Sequence, residues 1–319
     1  SWIETREEMY RRGGFCFEYS ATLINPISNT ERDTIGEYAR SIIYDYSFGN
    51  FRDDGYGKKP RIVNLNQEGI PRSEKKWIIL NTVKHYEKLL RYNNNRDDAY
   101  DYNIARPLML LAGSTIDDDL VKYVKCMLDL INEERWLMDF FDDLLNQEQK
   151  TNVDELVRYL DELDADLEFR YISDNFSSPD DFVRSIKKHL FNSQNISELE
   201  VTRHMNGEGE VTLSDPESKD SFALITVGES NAIRIQEELS KLESVTDNNS
   251  MTNFRLFDNI DSKSSSINIL IGTTKFARGW DSNRPSSIGF LNIGSTEGPT
   301  VVQMFGRGVR LQGKYNDGK

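Results

Sequence analysis

RPLMLLAGST, residues 106–115, is a continuous apolar run that ends in Gly-Ser-Thr just before Asp117, Asp118 and Asp119. A half-exposed strand alternates apolar and polar residues. A run without alternation predicts a strand covered on both faces, and small residues leading into acids predict a helix N-terminus directly after it. FALITVG (222–228), SINILIG (266–272) and SSIGFLNIG (286–294) read as further strands, and SNAIRIQEELSKLE (230–243) as a helix among them. This alternation predicts an α/β protein with a doubly wound parallel sheet, in which ligands sit at the C-terminal ends of the strands.

Residues 2–12 read as the end of a charged helix, Gly13-Gly14 as a turn and FCFEYS (15–20) as a short buried strand. The Gly-, Asp- and Lys/Arg-rich stretch 44–72 reads as a linker or an extended crossing segment. It precedes a helix over 73–92, in which Trp77, Leu80, Val83, Tyr86 and Leu90 recur at three- and four-residue steps. Helical pattern dominates 116–192, with caps at Thr151/Asn152 and a start at Ser178-Pro179-Asp180-Asp181. A strand-prone piece, 199–213, closes that region. The expected organisation is 1–43, 44–103 and 104–319, with a helical insertion over about 117–213.

At 319 residues the chain is long enough for roughly two domains. Its formal charge is −14, and residues 117–200 hold 22 acidic and 9 basic residues, so nearly all of that excess lies in the insertion. Overall acidity therefore does not argue against a nucleic-acid partner for the remainder, since phosphate binding depends on local Lys/Arg clusters. Two cysteines far apart, Cys16 and Cys126, exclude a disulfide framework and a structural zinc site and point to a reducing, cytoplasmic setting. No run approaches the ~18 apolar residues of a membrane span. The N-terminus SWIETREEMYRR is charged rather than an apolar signal segment, and a start at Ser rather than Met suggests a piece of a longer protein. His85, His189 and His204 stand apart from one another and compose no legible catalytic arrangement.

Three short constellations occur in order: YSAT at 19–22, GTTKFARGWD at 272–281 and QMFGRGVR at 303–310. Gln303, Arg307 and Arg310 are spaced i, i+4, i+7, one face of a helix. Two arginines so placed suit concentrated negative charge, as in phosphoryl transfer, where catalysis is mostly positioning and charge stabilisation. Thr273, Gly279 and Asp281 follow a strand and would share a strand-end loop. Trp280, between Gly279 and Asp281, would stack on a base or wedge that loop into the core.

In this order the constellations resemble motifs III, V and VI of superfamily 2 helicases and translocases, with RPLMLLAGST as a motif-IV-like strand. The wording FEYSATL and GRGVRL and the long gap between motifs III and V look most like the Res (restriction) subunit of type III restriction enzymes. The resemblance implies a RecA-like second helicase lobe with an acidic helical insertion, preceded by the tail of a first RecA-like lobe. It implies that Ser20 and Thr22 couple the ATP site to movement, and that Thr273 and Thr115 touch nucleic acid. Gly279 and Asp281 would lie near the ribose, and Gln303, Arg307 and Arg310 at the catalytic end, Arg310 as the arginine finger. DNA and a modification methyltransferase subunit are the implied partners, with no membrane association. ATP and Mg²⁺ are the implied cofactors of the complete protein, with none held tightly by this chain and no metal ligands here.

Motifs I and II have no acceptable match. Gly308–Lys314 (GVRLQGK) has a phosphate-loop spacing but is followed by Tyr315 and overlaps the arginine helix, while Asp161-Glu162-Leu163-Asp164 spells an acidic box without a strand ahead of it. Pro179-Asp180 with Glu217-Ser218-Lys219 likewise has a nuclease's letters in cap and loop context. The chain alone is therefore expected to be inactive. The rival expectation is a non-catalytic RecA-like scaffold that binds a basic partner through its acidic insertion.

Overall fold

The computed structural model describes residues 2–15, 17, 42–44, 46–60, 74–145, 169–218, 220–273, 280–293 and 298–311. The chain divides into two units, 1–47 and 48–319. In the first, helix α1 (Trp2–Arg11) carries Glu–Arg pairs one turn apart, Glu7–Arg11 at 3.6 Å and Glu8–Arg12 at 2.8 Å. It stops at a turn where Gly13 takes φ +79°, backbone that favours glycine. The strand expected at 15–20 is not seen at Phe15 and Phe17, whose exposed rings meet edge-on at 5.4 Å in irregular backbone. A strand needs a neighbour to complete its ladder, and among the described residues none pairs with them. Cys16, Ser20 and Thr22 lie outside the described residues.

The second unit runs α2 (Phe48–Asp53), α3 (Glu74–Asn94), α4 (Arg96–Asp101), β1 (Leu108–Gly113), a π-helical turn (Ile116–Leu120), α5 (Val121–Asn132), α6 (Glu134–Leu145), α7 (Arg170–Asn175) and α8 (Pro179–Leu190). It continues with β2 (Leu199–His204), β3 (Glu210–Ser214), β4 (Ala223–Thr226), α9 (Glu229–Leu239), β5 (Val245–Ser250), a 3₁₀ turn (Phe257–Asn259), β6 (Ile269–Gly272), β7 (Pro285–Leu291) and α10 (Gly298–Gly308). The strands form one sheet in the order β5-β2-β3-β4-β6-β1-β7.

The sheet is mixed, a correction to the wholly parallel one expected. Pairs β5–β2, β4–β6, β6–β1 and β1–β7 are parallel, while β2–β3 and β3–β4 are antiparallel. The reason is connection length. Five residues separate β2 from β3 and eight separate β3 from β4, too few for the crossover a parallel pair requires. The first of these turns uses Gly207 and Gly209 at φ +75° and +72°.

The all-apolar run resolves into two buried faces. Met109 and Leu111 of β1, with Ala223, Ile225, Ile269 and Ile271, face a helical layer from α3, α5, α6, α8 and α9. Leu108, Leu110, Ala112, Leu224 and Leu270 face a thinner layer of Ile260, Trp280 and Met304. Period-two alternation survives as a choice between two hydrophobic layers rather than between core and solvent. Helix α3 buries Trp77, Leu80, Val83, Tyr86 and Leu90 as the spacing predicts.

The region read as an insertion contributes to this same core. Val124, Met127, Leu137, Phe141, Phe182 and Ile186 join the cluster that includes the sheet residues, and β2 and β3 are strands of the sheet itself. Helix α8 starts with Pro179 in its first turn, followed by Asp180 and Asp181, and Ser178 precedes it in extended backbone without a side-chain capping bond. Phe182 stacks on Phe141 at 5.2 Å and meets Tyr86 of α3 at 5.9 Å. Thr151, Asn152, the 161–164 acidic box and Lys314 lie outside the described residues.

Candidate functional site at the ends of the sheet

Because β1, β6 and β7 are parallel, the residues before them gather at one end and the residues after them at the other. The leading end is built from cations. Arg284, buried just before β7, donates from Nε to Arg106 O at 3.0 Å, from Nη2 to Ile267 O at 2.6 Å and from Nη1 to Ile260 O. Burial, and then the charge of Arg106, pulls its guanidinium down to about 10. Arg106 itself reaches Ser265 O at 2.8 Å and the Asn268 side chain at 2.6 Å. These arginines close the strand entrances, a role no spacing in the sequence announced.

On that end the structure brings Asp281 to Arg310, whose guanidinium Nη1 donates to Asp281 Oδ1. Asp281 is 86% exposed and Arg310 41%, so the pair faces solvent. Arg307, one turn earlier, is buried. Its guanidinium is held below the usual arginine range first by burial and then by the charge of Arg310, with Asp281 opposing. Gln303 is exposed on α10. The helix ends at Gly308, so Gln303 and Arg307 lie on it while Arg310 lies beyond it, in an antiparallel bridge with Gly57. A Cβ at Gly308 would approach Ile288 Cδ1 to 2.9 Å, which is how α10 lies close on β7.

Two lysines meet the start of β7. Lys58 donates from Nζ to Asn283 O at 2.9 Å and Pro285 O at 2.7 Å, and Lys88 donates to Ser286 O and, at 3.0 Å, to Ser287 Oγ. Burial, and then Lys88, pulls the Lys58 ammonium down to about 8. Among the described residues the leading end is thus rich in cations, with Asp281, Asp261 and Asp220 as near carboxylates; Asp261 accepts from Ser282 Oγ.

Thr273 and Thr115 lie at the opposite, trailing end, after β6 and β1. Thr273 and Asp281 therefore do not meet in one strand-end loop as expected. Thr273 follows β6 and Asp281 precedes β7, so the two stand at opposite ends of strands that run the same way. Thr115 begins the π-helical turn and its Oγ1 accepts from Asp119 N at 3.3 Å. Gly279 lies outside the described residues.

Asp119 is the trailing-end residue that sequence reading passed over as one of three acids. It is fully buried, and Oδ2 accepts from Ser114 N (2.9 Å), Ser114 Oγ (3.1 Å) and Thr115 N (2.8 Å), while Oδ1 accepts from Asn292 Nδ2 (2.6 Å). Burial pushes its carboxyl up, but the hydrogen bonds from Thr115, Asn292 and Ser114 outweigh it and leave the group below its ordinary value. One carboxylate so ties the end of β1 to the end of β7. A Cβ on Gly113 would come within 2.5 Å of Asp119 Cβ, so glycine there admits it.

Trp280 packs in the thinner hydrophobic layer with Phe257 at 5.3 Å, the core alternative of the two foreseen. His85 is buried with Nε2 at 3.1 Å from Asn268 O, His189 Nδ1 is 3.1 Å from Asn93 Nδ2, and His204 lies between Thr252 and Thr212 at 2.8 and 2.9 Å. Cys126 is buried and unbonded to sulfur, its thiol pushed up to about 11 by burial. Among the described residues no group of three or more His, Cys, Asp or Glu could hold a metal ion, and no helix is long and apolar enough to cross a membrane. No family model, no curated protein and no solved structure matches this chain.

Proposed function

We propose that the second unit is the second lobe of an ATP-dependent nucleic-acid translocase of the superfamily 2 kind, with the restriction subunit of a type III system as the nearest type. The observation that carries this reading is the meeting of Asp281 with Arg310 beside Arg307. Residues from the two strongest motif-like stretches, 29 positions apart in sequence, form one charged group at the leading end of a mostly parallel sheet. Two arginines with a rigid donor geometry fit the terminal phosphates of a nucleotide.

ATP held against this lobe by a first lobe carrying motifs I and II would supply the phosphoryl group and the free energy of its transfer. The residues of this chain then have distinct tasks. Arg310, paired with the solvent-facing carboxylate of Asp281, exchanges it for phosphate oxygens at small cost, because an exposed ion pair contributes about 0–1 kcal/mol. Arg307, buried one turn away, holds a fixed positive charge behind it. Gln303 stands exposed earlier on the same helix. Thr115 and Thr273, which follow two neighbouring strands at the trailing end, would then meet the nucleic-acid backbone rather than the nucleotide. Separate ends for separate ligands let a shift of the lobe couple one to the other.

The decisive experiment is ATP turnover, with and without duplex DNA, by this chain extended to include the proposed first lobe. DNA-stimulated turnover is expected there and absent from the 319-residue chain. In the extended protein Arg310→Ala should lower kcat by about 10³-fold or more with ATP binding retained. Turnover unchanged by that substitution would refute the arginine assignment, and no turnover in the extended protein would favour a scaffold acting through the acidic helices.

A further inference from the structure

We propose that Lys58 is a positioning residue for Arg310. This rests on the reading of Arg310 as the phosphate-facing arginine. The first segment of the second unit, residues 48–58, lies across the end of α10. Phe48 meets Phe305 of that helix edge-on at 5.1 Å, and Phe51 bridges Phe48 and Tyr56 at 6.4 and 6.0 Å. Gly57 then pairs with Arg310 through the backbone, and Lys58 N donates to Val309 O at 2.9 Å. A Cβ at Gly57 would stand 2.5 Å from the Phe51 ring and 3.1 Å from Val309 O, so the approach depends on glycine.

Lys58 completes the arrangement from both of its ends. Its backbone is bonded to the residue before Arg310, while its ammonium holds the carbonyls of Asn283 and Pro285, two and four residues after Asp281. The Arg310–Asp281 pair therefore joins two segments that Lys58 spans. Arg310 lies past the end of its helix, where its backbone is tied to the last turn by a long bond, Arg310 N to Arg307 O at 3.4 Å, and by the bridge to Gly57. Lys58 adds the constraint that links this backbone to the segment after Asp281. A neutral side chain with two donors could make the same two bonds, but among the described residues no carboxylate pairs with Lys58, so its charge adds to the positive potential around Arg307 and Arg310.

The test uses the arginine side-chain NMR spectrum of the 319-residue chain, with the Arg310 Nε–H signal assigned by its loss in Arg310→Ala. In Lys58→Met that signal should shift to the position and exchange rate seen in Asp281→Asn, while the Arg284 signal stays where it is. Lys58→Arg should restore it. An Arg310 signal unchanged in Lys58→Met overturns the proposal. If that variant does not fold, Lys58→Gln decides by the same measurement, since it retains donors on a shorter arm and should displace the signal part-way; no displacement again overturns it. In the extended protein, Lys58→Met should lower kcat at least tenfold with KM for ATP within threefold, and Lys58→Arg should recover most of it; equal kcat in wild type and Lys58→Met also overturns the proposal. The two readings fail separately. Turnover indifferent to Arg310→Ala removes the motor reading, while the spectrum still decides whether Lys58 sets the arginine.

Discussion

Arg310 and Asp119 show how differently one charge can be used at the two ends of one sheet. Arg310 keeps a solvent-facing partner that an anion can replace, whereas Asp119 accepts four hydrogen bonds in a buried site. Asp119→Asn turns one acceptor oxygen into a donor facing other donors, and should lower stability by about 1–3 kcal/mol, read from the shift in urea midpoint at neutral pH. Because the folded pKa of Asp119 lies below its ordinary 3.8, its contribution is present above that value and is lost as pH falls through the folded pKa, so wild type and variant should converge in strong acid. His85 acts in the opposite range. Burial, then the charge of Lys88, holds its folded pKa well below 6.5, so the unfolded chain binds the proton first and stability falls as pH drops below 6.5. His85→Gln should show a smaller loss of urea midpoint between pH about 7.5 and about 5.5 than wild type does. An equal loss would mean that His189 and His204, also lowered by burial, carry the effect.

At the scale of elements, the strands and helices with continuous or periodic apolar residues were legible: β1, β4, β6, β7, α3, α8 and α9 occur where the pattern places them. Strand β5 was not, because VTDNNS is an edge strand paired with β2 on one side and mostly exposed, so its residues record solvent rather than burial. Neither was the end of α10, since Gly306-Arg307-Gly308 does not say by itself which glycine stops the helix. Close approach of β-turn and helix start is another tertiary fact. A Cβ on Gly209 would fall 1.9 Å from the Gly228 backbone, and Gly209 also has φ +72°. Gly209→Ala should therefore cost several times the ~1 kcal/mol of an ordinary glycine replacement, measured as a fall in urea midpoint, whereas Gly207→Ala, with open space around its Cβ, should cost only the backbone strain.

For the whole molecule, the helices between β1 and β2 share one hydrophobic cluster with the sheet. Phe182→Ala in α8 should then destabilise by about 3–5 kcal/mol, and tryptophan fluorescence and far-ultraviolet circular dichroism should follow one transition for the second unit in both proteins. Two transitions would mean that the helical region folds as a body of its own. The sequence by itself determined the chemistry available and the elements that bury apolar surface, because periodicity and the run of strand residues are local properties. It also singled out Arg307, Arg310 and Asp281. Tertiary structure decided the rest. Strand order and direction follow from which connections are long enough to cross the sheet; parallel strands then sort Thr115 and Thr273 to one end and the arginines to the other. The bond from Lys58 to the segment after Asp281 spans 225 residues of chain, and only folding brings such distant groups within reach of each other.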